Sequence, residues 1–166
     1  MANTTFWKDA LWQCSVCIFI KQIFKNKKNI YFEKKIKQTI NFINKNFLNL
    51  ENNLLGSAYD ADSDGEEGKY YTYTYDEVKD IKDIEQYFEI SQTGNWEGKI
   101  ILKDIKFPPE AIIKQLAELK KDRKKPFFDN KTQLDLNCLW TSALISSHNA
   151  LPNEGYLKKA EDNFIK

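Results

Sequence analysis

A chain of 166 residues, 42% hydrophobic and 14% aromatic, has the length and the apolar content for one domain with a real core. That composition excludes a disordered chain, a collagen and a mini-protein held together by disulfides. Its 25 basic and 24 acidic side chains leave a formal charge of +1, which gives no basis for binding nucleic acid or an anionic membrane. The distribution is uneven: +7 over residues 1–50, −9 over 51–100 and +3 over 101–166. An acidic middle between basic flanks invites internal pairing, or a site for cations or polyhydroxylated ligands.

From Phe6 to Phe24, residues Trp7, Ala10, Leu11, Cys14, Cys17, Ile18 and Phe24 recur at three- and four-residue spacing and predict a first helix. Cys14-Ser15-Val16-Cys17 has the spacing of a redox pair. Both thiols, however, fall inside an amphipathic helix rather than at its N-terminus, so they read as small buried hydrophobes. Three cysteines are an odd number and His148 is the single histidine, so neither a disulfide framework nor a closed zinc site is expected. No cofactor or metal is predicted. The longest apolar run, Val16 to Ile20, is too short to span a bilayer, and no signal peptide is recognised; a cytoplasmic, reducing compartment without membrane contact is expected. A second helix follows from Tyr31 to Leu48, with Phe32, Ile36, Ile40, Ile43 and Phe47 on one face. The two predict an antiparallel helical hairpin over residues 6–48.

Residues 51–105 break this pattern. Glu51 to Lys69 has the Gly, Ser, Asp and Asn content of an ordered loop, Tyr70 to Thr74 is a β-prone run, and Thr74-Tyr75-Asp76-Glu77 is a capping box opening a short helix. Lys99 to Leu102 predicts a second short strand. Pro108 and Pro109 introduce a helix carrying Ile112, Ile113, Leu116 and Leu119. Leu134 to Leu151, with Leu136, Leu139, Trp140, Ala143, Leu144 and Ile145, predicts a further helix, and Tyr156 to Lys166 another. Helical hairpins with elaborated loops predict a mainly α fold, a partial α/α toroid with a short β-containing insertion. Residues 1–166 then form a single partial segment, with helices over 109–166.

The chemistry concentrates between Ser57 and Lys69, where Asp60, Asp62, Asp64, Glu66 and Glu67 place five carboxylates in eight residues. Such groups repel unless cations, lysines or backbone N–H groups neutralise them. Asp60, Asp62, Asp64 and Gly65 match positions 1, 3, 5 and 6 of a calcium loop. The match fails at Glu67 and Tyr71, where a hydrophobic residue and a bidentate Glu belong. An ordered loop, with its carboxylates hydrogen-bonded to nearby backbone or to Lys69 and Lys99, is the expectation. A glycosidase-like mechanism needs two carboxylates flanking a sugar, and the loop can offer such pairs without sequence choosing among them. Trp96 and the Tyr70 to Tyr75 run could stack on a sugar ring or pack internally. His148, near a helix end, reads as a cap on carbonyls.

The string Ser57-Ala58-Tyr59-Asp60-Ala61-Asp62-Ser63-Asp64-Gly65-Glu66-Glu67-Gly68-Lys69-Tyr70-Tyr71 resembles the "SAxDADSEGEEGKFY" signature of the YyaL / spermatogenesis-associated protein 20 family. Gly94-Asn95-Trp96-Glu97-Gly98-Lys99 with Ile101-Leu102 resembles that family's "GNFEGKNIL". Pro126, Asp129, Lys131, Asn137, Leu139, Ala143 and Leu144 fall where it has "RPxxDDKxLTxWNGLMxxAL". The resemblance implies a six-hairpin, glycosidase-like toroid similar to N-acylglucosamine 2-epimerase, joined in the family to a thioredoxin-like domain that this chain does not match. It implies a carbohydrate-related role of poorly defined reaction, with Asp60, Asp62, Glu66, Glu67, Trp96 and Asn137 as candidate pocket residues. Departures at Met1 to Ala10, Asn130, Leu136 and Cys138 predict no activity for the chain alone. The alternative is a non-enzymatic binding or scaffold module whose acidic loop engages a cation or a basic partner. Under half a ring of helices would leave two apolar faces open, so self-association, or a partner carrying the remainder of the toroid, is expected.

Overall fold

In the computed structural model Asn29 starts the helix α1 (Ile30–Asn46) by accepting a hydrogen bond on its side chain from the Tyr31 N–H at 2.8 Å. The structure describes Cys14, Ser15, Ile18, residues 29–152 and residues 154–165. The first predicted helix lies outside the described residues except at Cys14, Ser15 and Ile18, which are helical; so do Cys17 and the segment Met1 to Ala10. In α1 the residues Ile36, Ile40 and Ile43 form the buried face, as the spacing predicts. The helix ends at Phe47, whose N–H donates to the Ile43 carbonyl. Asn49 and Asn52 then turn the chain by accepting from the N–H groups of Glu51 and Leu54.

Strand β1 (Gly56–Tyr59) pairs antiparallel with a strand far along the sequence, Phe128–Thr132, in the register Ala58↔Asp129 and Tyr59↔Phe128. Gly56 is required there: a Cβ would fall 2.6 Å from the Phe128 ring. Between these strands the chain makes a separate compact unit, Asp60–Phe127. It holds a hairpin of β2 (Asp62–Ser63) and β3 (Glu66–Glu67), the short helix α2 (Tyr75–Val78), one 3-10 turn at Ile84–Gln86, and α3 (Glu110–Glu118). With Phe128–Thr132 numbered β4, the chain continues into α4 (Leu134–Ala150) and α5 (Tyr156–Phe164), which pack on each other.

Each unit has its own core. In Asp60–Phe127, Tyr73, Val78, Ile84, Phe88, Ile100, Leu102, Ile112 and Leu116 are buried together. In the other unit Cys14, Ile36, Ile40, Ile43 and Phe47 share one core with Leu55, Leu136, Trp140, Ala143, Leu144, Tyr156 and Ala160. Phe47, Tyr59 and Phe128 add edge-to-face and tilted ring contacts.

This corrects the expected fold class. The described residues form a mixed α/β arrangement of five helices and two small antiparallel sheets, not a mainly α partial toroid. The physical reason lies in the apolar series. The faces of α1 and α4, which a ring would set against separate neighbours, contribute to one core cluster. Ile36, Ile40, Ile43 and Phe47 of the first face and Leu136, Trp140, Ala143 and Leu144 of the second are buried in that cluster, with Phe32 partly buried against it. Smaller differences follow the same logic. The Tyr70 to Thr74 run and Lys99 to Leu102 make a single bridge, Tyr73↔Ile100, rather than strands. The real strands, β1 to β4, lie in segments too polar or too short to show alternation. No helix among the described residues is long and apolar enough to cross a membrane.

Candidate functional site

The acidic segment folds because its turn residues fit a hairpin. Asp64 and Gly65 both take positive φ, 59° and 76°, so the Asp-Gly pair makes the two-residue turn whose twist suits β2 and β3. Gly68, also at positive φ, donates its N–H to the Ala61 carbonyl at 3.0 Å and closes the base. The Tyr71 hydroxyl donates to the Asp60 carbonyl and the Ser63 hydroxyl to the Lys124 carbonyl. Of the five carboxylates, three have partners. Asp60 accepts from the Asp62 N–H at 3.1 Å. Asp64 pairs with Lys69 at 2.8 Å, and the hydrogen bond from that ammonium holds its carboxyl below the ordinary range. Glu66 pairs with Lys99.

Asp62 and Glu67 differ. They are directly opposed across the β2–β3 ladder, both exposed, with no hydrogen-bonded or ion-paired side-chain partner among the described residues. Opposed cross-strand side chains have Cβ atoms about 5 Å apart, and two like charges there repel. The calcium-loop spacing does not become a coordination shell. Among the described residues no group of three His, Cys, Asp or Glu side chains is placed to hold a metal ion.

Trp96 is carried by a second tight turn. The Trp96 N–H donates to the Lys99 carbonyl at 3.0 Å and the Lys99 N–H returns to the Trp96 carbonyl at 2.8 Å. The Asn95 side chain imitates a neighbouring strand, accepting from the Ile101 N–H and donating to the Ile101 carbonyl. At Gly94 a Cβ would stand 2.4 Å from the Lys99 carbonyl oxygen, which explains the glycine. The indole is half-buried, and the Lys99–Glu66 pair ties this turn to the acidic hairpin.

Asn137 belongs to the other unit. It is 6% exposed on α4, where its Oδ1 accepts from the Leu55 N–H at 2.8 Å and from Asn163 Nδ2, while its Nδ2 donates to the carbonyls of Leu55 and Gln133. Its amide is consumed in holding the β1 approach to α4. Of the six candidates, Asp60, Asp62, Glu66, Glu67 and Trp96 thus fall in two connected turns of one unit, and Asn137 in a buried network of the other. His148 stands in the last turn of α4, and its buried Nδ1 has no hydrogen-bond partner among the described residues. Cys14 is buried in its unit's core, and Cys138 is an exposed thiol.

One cluster was missed in the sequence. Arg123 donates to the carbonyls of Lys69 and Thr72 and pairs with Glu77 at 2.6 Å. Burial pushes the Glu77 carboxyl up, but hydrogen bonds from the Thr74 backbone and from Arg123 outweigh it and hold the group below its ordinary range. Arg123 also lies over the Tyr73 ring, 5.0 Å from its centroid, and Lys120 over the same ring at 4.8 Å. The available signal was that Arg123 is the single arginine among 25 basic residues, and arginine rather than lysine serves several carbonyls and a carboxylate at once. No protein-family model matches this chain, and a search of curated proteins finds no match either.

Proposed function

We propose that this chain is part of a protein of the YyaL / spermatogenesis-associated protein 20 family and contributes a carbohydrate-binding surface, the β2–β3 hairpin with the Trp96 turn, without turning over a substrate alone. One observation carries the reading: each half of the first family-like motif pairs with another family-like motif. Ala58 and Tyr59 pair with Asp129 and Phe128, and Glu66 pairs with Lys99. Segments that resemble one family's signatures in sequence thus support one another within each unit. The hairpin supplies two solvated carboxylates, Asp62 and Glu67, whose repulsion is relieved by hydroxyl donors, and the turn supplies an indole face of the kind that stacks on a sugar ring. Both carboxylates share one solvated setting, whereas an acid–base pair needs two different ones.

Titration with N-acetylglucosamine, N-acetylmannosamine and glucose, followed by two-dimensional amide and indole NMR, tests this. Saturable shifts at Trp96, Asp62 and Glu67, lost in folded Trp96→Ala, are expected. Unmoved spectra at the solubility limit of all three sugars would sink the reading. The Asp62–Glu67 pair also favours a second reading, a module for a basic partner. Shifts with an oligolysine peptide, but none with sugars, would move the assignment there.

A further inference from the structure

We propose that the end of the helical unit where α4 begins and α5 finishes is a dimer interface, covered by the same end of a second copy of this chain. Leu50, Leu134, Phe164 and Ile165 are 81%, 81%, 80% and 77% exposed, the four most open large apolar side chains among the described residues. They come from three segments that one hydrogen-bond network ties together. Asn137, in the first turn of α4, accepts from the Leu55 N–H at 2.8 Å and from Asn163 Nδ2 at 3.2 Å. Asn163, in the last turn of α5, also donates to the Asn53 carbonyl at 2.9 Å. The Asn53 N–H donates to the Asn49 carbonyl at 2.8 Å and closes the turn that carries Leu50. Leu134 opens α4, and Phe164 and Ile165 directly follow Asn163. None of the four belongs to the helix faces from which association was expected, which lie in the core.

The area favours a second copy as the occupant. Four side chains this open present on the order of 600 Å² of apolar surface, above the few hundred Å² that a monomer ordinarily shows and close to the about 800 Å² per partner of a standard interface. Two such ends set against each other across a two-fold axis approach that area with no further surface recruited. The charges beside the patch have both signs. Glu51 follows Leu50, Asp135 follows Leu134, and the exposed Lys131 stands three residues before Leu134. A second copy therefore brings counter-charges to the rim, whereas a strongly basic or acidic partner would be repelled by part of it. The end lies in the unit that does not carry the acidic hairpin, so the dimer is independent of sugar binding.

Sedimentation velocity of the whole chain, from about 10 μM to about 1 mM and without sugar, tests this and should show a reversible monomer–dimer equilibrium. Leu134→Gln and Phe164→Gln should each raise the dimer dissociation constant roughly tenfold or more. Phe127→Gln, at a comparably exposed ring in the other unit, should leave it unchanged. Because the substituted side chains are exposed, urea midpoints measured at about 1 μM should stay within error of the parent, which separates loss of the dimer from loss of the fold. A chain that remains monomeric to about 1 mM overturns the proposal and leaves this end to a different protein. A dimer that is undiminished in both Leu134→Gln and Phe164→Gln, or weakened equally by Phe127→Gln, overturns it as well.

Discussion

Asn137 shows how one side chain can settle a local structure. Four hydrogen bonds to Leu55, Gln133 and Asn163 use both ends of its amide, and two of them satisfy the N–H and carbonyl of the residue entering β1. Truncation leaves those backbone groups buried and unpaired, so Asn137→Ala should lower the unfolding free energy by about 2–3 kcal/mol in urea titration. An effect within error would mean that water replaces the amide. At Asp62 the sign reverses. The sequence suggests a carboxylate that closes a network, whereas the structure opposes it to Glu67 with no partner among the described residues. Asp62→Asn should therefore hold or raise the melting temperature, by up to about 0.5 kcal/mol in stability, and the gain should shrink in high salt. A clear loss would point to a bound cation or a missing contact.

At the scale of elements, α2 depends on its cap. Thr74 and Glu77 bond reciprocally, and Glu77 then receives Arg123. Because the folded carboxyl sits below its unfolded value, the stabilisation is complete above about pH 4.3 and is lost as the pH falls through the folded value. Glu77→Gln should lower the urea midpoint at neutral pH and weaken the acid dependence below about pH 4.3; an unchanged acid limb would locate the sensitive carboxylate elsewhere. This cap was legible, since Thr-x-x-Glu carries its own geometry. So were α1, α3, α4 and α5, whose apolar residues repeat at helical spacing over two turns or more. The strands were not. Phe128–Thr132 is mostly charged and polar, and β2 and β3 are two residues each, so pairing comes from the Asp64-Gly65 turn and from a distant partner rather than from any alternating pattern.

For the whole molecule, helix periodicity says which face is buried but not against what. Ile36, Ile40 and Ile43 were identifiable as a core face, yet nothing in their spacing distinguishes a ring from a core shared with Trp140 and Leu144. The candidate site shows the same limit: five of its residues gather in one unit, while Asn137, grouped with them by resemblance, serves the other. Separate cores carry an expectation of their own. Ile43→Ala should cost about 2–4 kcal/mol and reduce hydrogen-exchange protection in α1, α4 and α5 before that of Tyr73, Phe88 and Ile100. Simultaneous loss in both sets would show a single cooperative unit.

The neck of the Asp60–Phe127 unit has a consequence for how the chain closes on itself. The Asp60 N–H meets the Phe127 carbonyl at 2.8 Å, immediately beyond the Tyr59↔Phe128 pair. Seen from β1 and β4, everything between is one very long hairpin loop, and its ends are already a ladder step apart. Closure entropy grows by only about 0.6 kcal/mol per doubling of loop length, so exchanging the whole unit for a short Asn-Gly turn should favour the remaining sheet by no more than about 2–3 kcal/mol. The shortened chain should keep Trp140 shielded from quenchers and unfold at a higher urea concentration. With that outcome, the segment bearing the acidic hairpin would be an exchangeable cassette, one that could lengthen, shorten or be replaced while the helices around Trp140 keep their packing.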